Sequence, residues 1–266
     1  MVKIATINIL FELDLWMQRR ELLVEGLAAE KADLIGLQEV NWEENTGMWL
    51  AEQLGMSYVY IVPYQDPARD DKPRYGAAII SRYPFIHQAD LDLQGQGRRA
   101  QYVQVEIDNQ PLIFCNGHYY WETKPSTERM KQMQLLTNWL GELPAEMPIV
   151  AVGDFNALPD SPDMIFMREK FVSAYAVCNG KEPEYTCPSA LLRPKYNLIS
   201  NLKHRFWRLL LNGTLKPFRG TLDYIYINQH LTVRDCRVIL NQPAPDNKRI
   251  YPSDHFGLAA DLLIGN

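Results

Sequence analysis

The stretch Pro148-Ile-Val-Ala-Val-Gly-Asp-Phe-Asn-Ala-Leu-Pro159 decides how the rest of the chain is read. Residues 149–152 carry no charge and are rich in β-branched side chains. Bounded by Pro148 and Gly153, so short an apolar run predicts a strand buried on both faces. It ends at once in Gly153-Asp154-Phe155-Asn156. Alternate residues of a strand face the same way, so Asp154 and Asn156 are expected to point together into one cleft. A carboxylate and an amide aimed at one spot suit a hard metal ion or a phosphate. The same residues also suit a tight Asp/Asn turn after a core strand. The other strand ends decide between the two.

The chain has 266 residues, 47% of them apolar, enough for one large domain or two small ones. A net charge of −5 and a pI of about 5.6 argue against a general polyanion binder, so any contact with nucleic acid needs a local basic patch. The four cysteines, Cys115, Cys178, Cys187 and Cys236, form no C-x-x-C pair, which argues against zinc. Four are also too few for a disulfide framework in so long a chain. Cys115 lies in an apolar run and reads as a buried thiol. The opening Met1-Val-Lys-Ile-Ala-Thr runs straight into a strand pattern, and no long apolar span follows. The expectation is a soluble protein of a reducing compartment, cytoplasmic and monomeric, with no protein partner.

Periodicity predicts strands at 2–10, 33–40, 58–63, 76–81, 221–227, 232–240 and 256–264. Residues 100–107 and 111–116 read as a hairpin turning at Asp108-Asn109. Helices are expected at 15–29, 46–54 (closed by Gly55), 126–140 and 161–168. In the first of these, Trp16, Leu23 and Leu27 make the apolar face, with Arg19 and Arg20 on another side. In the third, Ser126 caps, Glu128 suits the positive end, and Met130, Met133, Leu136 and Leu140 form the stripe. Strands outnumber helices and often connect by short links. That pattern suits an α+β domain of packed sheets with helices outside. A single domain over 1–266 is expected, with one compositional break. Residues 190–220 hold seven basic side chains and no acid, and Leu198, Leu202, Phe206, Leu209 and Leu210 recur there at helical spacing.

Polar side chains recur where the apolar runs stop: Asn8, Glu39, Asn116 with His118, Asp154 with Asn156, Asp223, and Asp254 with His255. One such residue is ordinary strand punctuation; six positions are not. Sheets sharing one end can converge them on one cleft. Glu39, Asp154 and Asp254 with Asn8 and Asn156 would make an oxygen-rich site for a hard divalent ion. Two histidines would flank it, and imidazole titrates near neutral pH. Metal, imidazole and amide together form a phosphoester-cleaving site.

The set Thr6-x-Asn8, Leu37-Gln-Glu39, Asn116-Gly-His118, Gly153-Asp-Phe-Asn156, Leu222-Asp223-Tyr-Ile and Ser253-Asp254-His255 resembles the endonuclease/exonuclease/phosphatase superfamily, in order and over nearly the whole chain. The resemblance implies a four-layer α/β/β/α sandwich of two packed mixed sheets with outer helices and the site at one end. It implies Mg²⁺, with Mn²⁺ as alternative, held chiefly by Glu39 with Asn8. Asp254 would be a further metal or water ligand. Asp154 would orient or deprotonate the attacking water, and Asn156 would contact the phosphate. His255, held by Asp223, would contact the scissile phosphate or act as base. His118 would bind the phosphate or assist the leaving oxygen. Some relatives pair that histidine with an acid from an earlier loop, for which Asp66, Asp70 and Asp71 are the candidates. Arg129 matches a basic residue common at its helix start, and either reaches the cleft or forms a structural ion pair.

The implied activity is divalent-metal-dependent phosphoester hydrolysis by metal- and histidine-assisted water attack on phosphorus. Tyr251-Pro-Ser-Asp-His-Phe-Gly-Leu is similar to the tyrosyl-DNA phosphodiesterase and deadenylase-like branches, which favours nucleic acid or a nucleotide as substrate. The basic 190–220 segment suits a polyanionic strand, with Phe206 and Trp207 able to stack bases. It also reads as a basic helix on a lipid surface. A phospholipid or phosphoinositide phosphodiesterase or phosphatase, sphingomyelinase-like, is therefore the alternative. A third reading is a surface helix packing its apolar face on the domain. Tyr119, Tyr120 and Trp121 beside His118 either grip a base or sugar or belong to the core.

Overall fold

The computed structural model describes residues 1–65, 73–122, 124–188 and 218–265. In chain order its elements are β1 (Val2–Asn8), α1 (Trp16–Glu30), β2 (Leu34–Asn41), α2 (Thr46–Gln53), β3 (Tyr58–Pro63), β4 (Tyr75–Ser81), β5 (His87–Asp92), β6 (Arg99–Ile107), β7 (Gln110–His118), α3 (Thr127–Gly141), β8 (Ile149–Asp154), α4 (Pro162–Met167), β9 (Val172–Ser173), α5 (Ala174–Asn179), β10 (Cys187–Pro188), β11 (Arg219–Gly220), β12 (Asp223–Ile227), β13 (Leu231–Ile239) and β14 (Gly257–Ile264). Two six-stranded sheets, β13-β14-β1-β2-β4-β3 and β5-β6-β7-β8-β12-β9, pack face to face. Both are mixed: β1 runs parallel to β2 and β7 to β8, while the other pairs are antiparallel.

Strand alternation builds the layers. In β8, Val150 and Val152 point between the sheets, where they meet Ile4, Leu34, Phe114, Ile225 and Leu258. Ile149 and Ala151 point outward onto Met133, Leu136 and Leu140 of α3 and Met164 of α4. Ala5, Ile7, Ile35 and Leu37 cover the far face of the first sheet together with Leu23 and Leu27 of α1 and Leu50 of α2. The decisive strand is thus buried on both faces because it has an apolar layer on each side. The result is the expected α/β/β/α sandwich, and the inter-sheet layer is the one that leads to the polar cluster.

That inner layer changes character along the strands. It is apolar at one end, then turns polar at Thr6, Gln38 and Asn116, all buried. Gln38 Nε2 donates to Thr6 Oγ1 (2.9 Å) and to Asn116 Oδ1 (2.6 Å). Asn116 Nδ2 donates to the carbonyls of Leu37 and Ala78 in the opposite sheet. Asn116 is therefore a cross-sheet clamp and not a member of the site, and bonding satisfies its buried amide. The sheets approach so closely here that a Cβ on Gly36 would lie 2.7 Å from Val152 Cγ2 and 2.9 Å from Asn116 Oδ1. One step further along each strand, the inner face presents Asn8, His118, Asp154 and Asp223.

Several local expectations change. Arg19 shares a face with Leu23 and Leu27 at helical spacing and is fully buried, not on the polar side of α1. Its guanidinium donates to the carbonyls of Ile9, Leu10, Glu12, Asp14 and Pro252. A buried guanidinium satisfied by carbonyls pins the loop after β1 to the loop before β14. Arg129 is buried too, ion-paired with Asp163 and donating to the carbonyls of Tyr120, Glu122 and Lys124. It ties α3 to α4 and to the loop after β7, so the ion-pair alternative holds. β5 was not anticipated, because His87-Gln-Ala-Asp-Leu-Asp is a largely exposed edge strand without an apolar run. α5 and the two-residue strands were likewise too short to show periodicity.

Candidate active site

Register brings three side chains into one row. His118 ends β7 opposite Asp154, which ends the parallel β8, and Asp154 lies opposite Asp223, which begins the antiparallel β12. Directly opposed residues project on the same face, so the three side chains stand side by side on the inner face. The turn that stops β8 depends on Gly153. Its φ is +142°, and a Cβ there would lie 1.9 Å from Gly117 O, so only glycine fits this close backbone approach.

Asp154 is the hub of the row. Its Oδ2 accepts from Asn8 Nδ2 (3.0 Å) and lies 3.4 Å from His118 Nε2 and 3.9 Å from His255 Nε2. Its Oδ1 accepts the Asn156 amide N–H at 2.9 Å. Asp154 and Asn156 are thus joined by an Asx turn and not by strand alternation. Asn156 has φ 52°, lies outside β8, and donates from Nδ2 to Tyr119 O. Burial, reinforced by Asp223, pushes the Asp154 carboxyl up to about 7, against the pull of His255, Asn8 and the Asn156 amide.

Glu39 reaches the cluster through a bulge. Ile35 and Leu37 face outward, and alternation would send Glu39 the same way. A register shift between Gln38 and Val40, with Glu39 at φ 57°, turns its side chain inward and returns Val40 to the outer core. Its Oε1 accepts from Asn8 Nδ2 (3.2 Å) and its Oε2 from Phe11 N (3.2 Å). Burial raises its carboxyl, and the nearby Asp254 carboxylate raises it further. Asn8 was expected to ligate metal. Here it turns its donor end to Glu39 and Asp154, while its Oδ1 accepts from Leu10 N. A cleft of about 680 Å³ adjoins this side, lined in part by Phe11, Asn41, Trp42, Glu43 and Arg74.

His255 approaches from the loop before β14. That loop is held by Ser253 Oγ, which donates to Asn8 O at 2.6 Å. His255 Nδ1 pairs with Asp223 Oδ2 at 2.9 Å. Thr186 Oγ1 donates to the same oxygen and accepts the amides of Leu222 and Asp223. Burial alone would lower His255; Asp223, with Cys187 and Asp154, outweighs it and raises the imidazole well above its ordinary value. The two histidines of the site are opposed, because burial, Arg98 and His255 hold His118 well below that value.

Sequence reasoning missed Arg98 and Thr186. Arg98 is buried, 2.7 Å from His118 Nδ1 through Nη1, with its charge over the rings of Tyr64 and Tyr75. Neither residue ends an apolar run, so no pattern marked them. The acid candidates for His118, Asp66, Asp70 and Asp71, lie outside the described residues, as does the basic segment up to residue 217. Its flanks are described: Cys187 and Pro188 pair with Gly220 and Arg219, and Phe256 N bonds Thr186 O. Of the aromatic trio, Tyr119 is core, stacked on Phe155 at 4.5 Å, while Trp121 is exposed.

The cluster offers two places for a cation. Asp154, Asp223 and His255 have ligand atoms within 4.8 Å of one another. Glu39 and Asp254 raise the second possibility: among the described residues neither is ion-paired to a Lys, Arg or His, and the Asp254 charge opposes ionisation of Glu39. A divalent ion would relieve that repulsion, so these carboxylates fit a hard metal.

Comparison with known proteins agrees with this fold. The family model described as "Endonuclease/Exonuclease/phosphatase family" matches residues 5–255. Human nocturnin is 24% identical over 272 residues, covering 93% of this chain and 58% of nocturnin. The chain therefore spans less than two thirds of that relative's length. The Escherichia coli K12 protein YbhP is 27% identical over 171 residues, 58% of this chain and 66% of YbhP. The catalytic domain of human nocturnin, solved with bound sulfate, superposes with a TM-score of 0.74 at 22% identity, covering 99% of this chain and 93% of that one. D. rerio TDP2, solved with a single-strand DNA product, gives 0.77 at 17% identity, covering 98% of each chain. With the family's motifs converging at one end of the sandwich and its model spanning residues 5–255, the chain belongs to the endonuclease/exonuclease/phosphatase family.

Proposed function

We propose that this protein is a divalent-metal-dependent phosphodiesterase that acts on nucleic acid or nucleotides by water attack on phosphorus. The observation that carries it is the Asp154 carboxylate, placed between the Asn8–Glu39 side and the Asp223–His255 pair. Glu39 and Asp254 would hold the metal, with Asn8 orienting Glu39. When bound, Mg²⁺ or Mn²⁺ would supply Lewis-acid stabilisation of the phosphoryl oxygens.

The chain's own groups divide the remaining work. Asp154, pushed up to about 7, suits a base near neutral pH and accepts the proton of the attacking water. His255, raised by Asp223, is an imidazolium and so faces the phosphate as a cation. Asp223, fixed by Thr186, holds the Nδ1 of that ring. Asn156, tied to Asp154 through its amide, would contact the phosphate. Nucleic acid is favoured because one structural neighbour, D. rerio TDP2, was solved with a single-strand DNA product.

The test is hydrolysis with Mg²⁺ of single-stranded DNA, RNA, dinucleotides, sphingomyelin, inositol phosphates and a bis-aryl phosphodiester. Turnover of a nucleic acid or nucleotide is expected. It should be lost in Glu39→Ala together with metal binding, and lost in His255→Ala with metal binding intact. Cleavage of lipid but not of nucleotides would overturn the substrate class, and no turnover at all would overturn the enzyme.

A further inference from the structure

The two site histidines are held from opposite sides. His255 Nδ1 faces a carboxylate at 2.9 Å, whereas His118 Nδ1 faces the Arg98 guanidinium at 2.7 Å. A guanidinium has donors and no acceptor. His118 Nδ1 must therefore be the accepting nitrogen, which places the ring's proton on Nε2. That nitrogen lies 3.4 Å from Asp154 Oδ2, inside the buried row of the candidate site. Arg98 is itself firmly set. It is buried, and its guanidinium carbon lies 5.6 Å from the ring centre of Tyr64 and 5.4 Å from that of Tyr75, both within cation–π reach. Tyr64 O–H donates to the carbonyl of Arg99, fixing that wall next to β6.

We infer that Arg98 is a positioning residue that locks His118 in the Nε2–H tautomer, so that His118 serves the reaction as a neutral hydrogen-bond donor to a phosphoryl oxygen. This rests on the phosphodiesterase reading of the site. It separates two roles that the sequence left open for His118. A neutral imidazole can donate a hydrogen bond to the phosphate, but it has no readily lost proton to give a leaving oxygen. A carboxylate at Nδ1 would do the opposite by favouring the imidazolium, as Asp223 does for His255.

Arg98 also carries a buried charge. Among the described residues no carboxylate forms an ion pair with it, and its Nε is buried without a partner. A buried cation without an ion-pair partner is costly. An anionic phosphoryl group beside His118 would supply one.

The tautomer can be read without substrate. Protein labelled with ¹⁵N-histidine, metal-free at pH 7, gives long-range ¹H–¹⁵N spectra of its five histidines, and His118 is assigned by its loss in His118→Gln. The expected pattern is an unprotonated Nδ1 and a protonated Nε2. A His118 signal with Nδ1–H, or an imidazolium, overturns the inference. In Arg98→Met the pattern should shift toward Nδ1–H, with kcat reduced on the order of 10²-fold and KM little changed; Arg98→Lys, which keeps a donor, should restore part of both. Unchanged tautomer and activity in Arg98→Met would overturn it as well. His118→Gln keeps a neutral donor and should retain about tenfold more activity than His118→Ala; equal loss in both would point to proton transfer instead. Nδ1–H on an active enzyme sinks the inference alone. The expected spectrum on a protein inert toward every phosphoester sinks the proposed function.

Discussion

Replacing Asp154 by Asn should stabilise the metal-free fold at pH 8 and lose most of that advantage at pH 5. Burial with Asp223 nearby pushes the Asp154 carboxyl from 3.8 to about 7. The folded state therefore holds this proton more tightly than the unfolded chain. The resulting stability is full below about pH 4 and is lost as pH rises through 7. Above that the carboxylate is ionised, buried and at its full cost. About three pH units separate the two values, and each corresponds to about 1.36 kcal/mol, so the ceiling is on the order of 4 kcal/mol. Between pH 5 and pH 8 the share at stake is about 2 to 3 kcal/mol. Part of it is offset. An Asn at 154 can still accept the Asn156 amide, but its other end meets the donor face of Asn8, a mismatch costing about 1 kcal/mol. That mismatch is the same at every pH, so the net gain is roughly 3 kcal/mol at pH 8 and below about 1 kcal/mol at pH 5. His255 keeps its Nδ1 contact with Asp223 in both proteins. Urea unfolding of both proteins in EDTA at pH 5, 6, 7 and 8 measures it. A difference that is flat across that range, or a variant less stable at pH 8 than at pH 5 relative to the parent, refutes the reasoning.

Three further outcomes follow from the same geometry. Glu39→Gln should raise the metal concentration needed for activity by about 100-fold, while in EDTA it should be no less stable than the parent, because the repulsion from Asp254 is gone; metal titration by calorimetry and denaturation in EDTA check the two halves. Thr186→Val removes a donor to Asp223 and strands the amides of Leu222 and Asp223, both buried, so unfolding should cost about 2 to 4 kcal/mol less; a loss below about 0.5 kcal/mol would mean the hydroxyl is dispensable. Arg129→Met leaves Asp163 as an unpaired buried charge and should destabilise by about 3 to 5 kcal/mol. Adding Asp163→Leu should recover most of that in a double-mutant cycle, and no recovery would deny the pairing.

What the sequence made legible was whatever periodicity or punctuation could encode. Residues 149–152 announced a doubly covered strand, and Asp108-Asn109 announced its hairpin turn, with φ 52° and 61°. Asn8, Glu39, His118, Asp154, Asp223 and His255 all stood at the ends of apolar runs, which is why they could be found. Arg98 and Thr186 escaped, and Arg19 was set on the wrong face of its helix, because their importance lies in tertiary partners. A buried arginine and a surface arginine look alike in sequence until the carbonyls or aromatic rings that receive them are placed. Glu39 was identified for the right reason only in part: strict alternation points it at the helices, and a one-residue bulge redirects it. Asn116 shows the converse. It ends an apolar run as the site residues do, yet its partners are two carbonyls of the opposite sheet.

The division of the site between the sheets explains why so much of the buried polarity serves to hold them in register. Asn8 and Glu39 belong to the first sheet; His118, Asp154 and Asp223 belong to the second; Asp254 and His255 come from the loop between β13 and β14. Asp154, the proposed base, and Glu39, the proposed metal ligand, are therefore joined through side chains that cross the seam, and Asn8 Nδ2 touches both. Any slip of one sheet against the other would change the distance between Glu39 and Asp154 before it disturbed either half. The Gln38–Asn116 bond, the two carbonyls taken by Asn116 and the space kept by Gly36 all oppose such a slip. A catalytic constellation must be held to within a fraction of an ångström by its supporting shell, and here that shell lies in the inter-sheet layer directly beneath the reacting groups. The polar turn that this layer takes at Thr6, Gln38 and Asn116 weakens hydrophobic packing at that level, and in exchange it fixes by directional bonds a spacing that apolar contacts alone would leave loose.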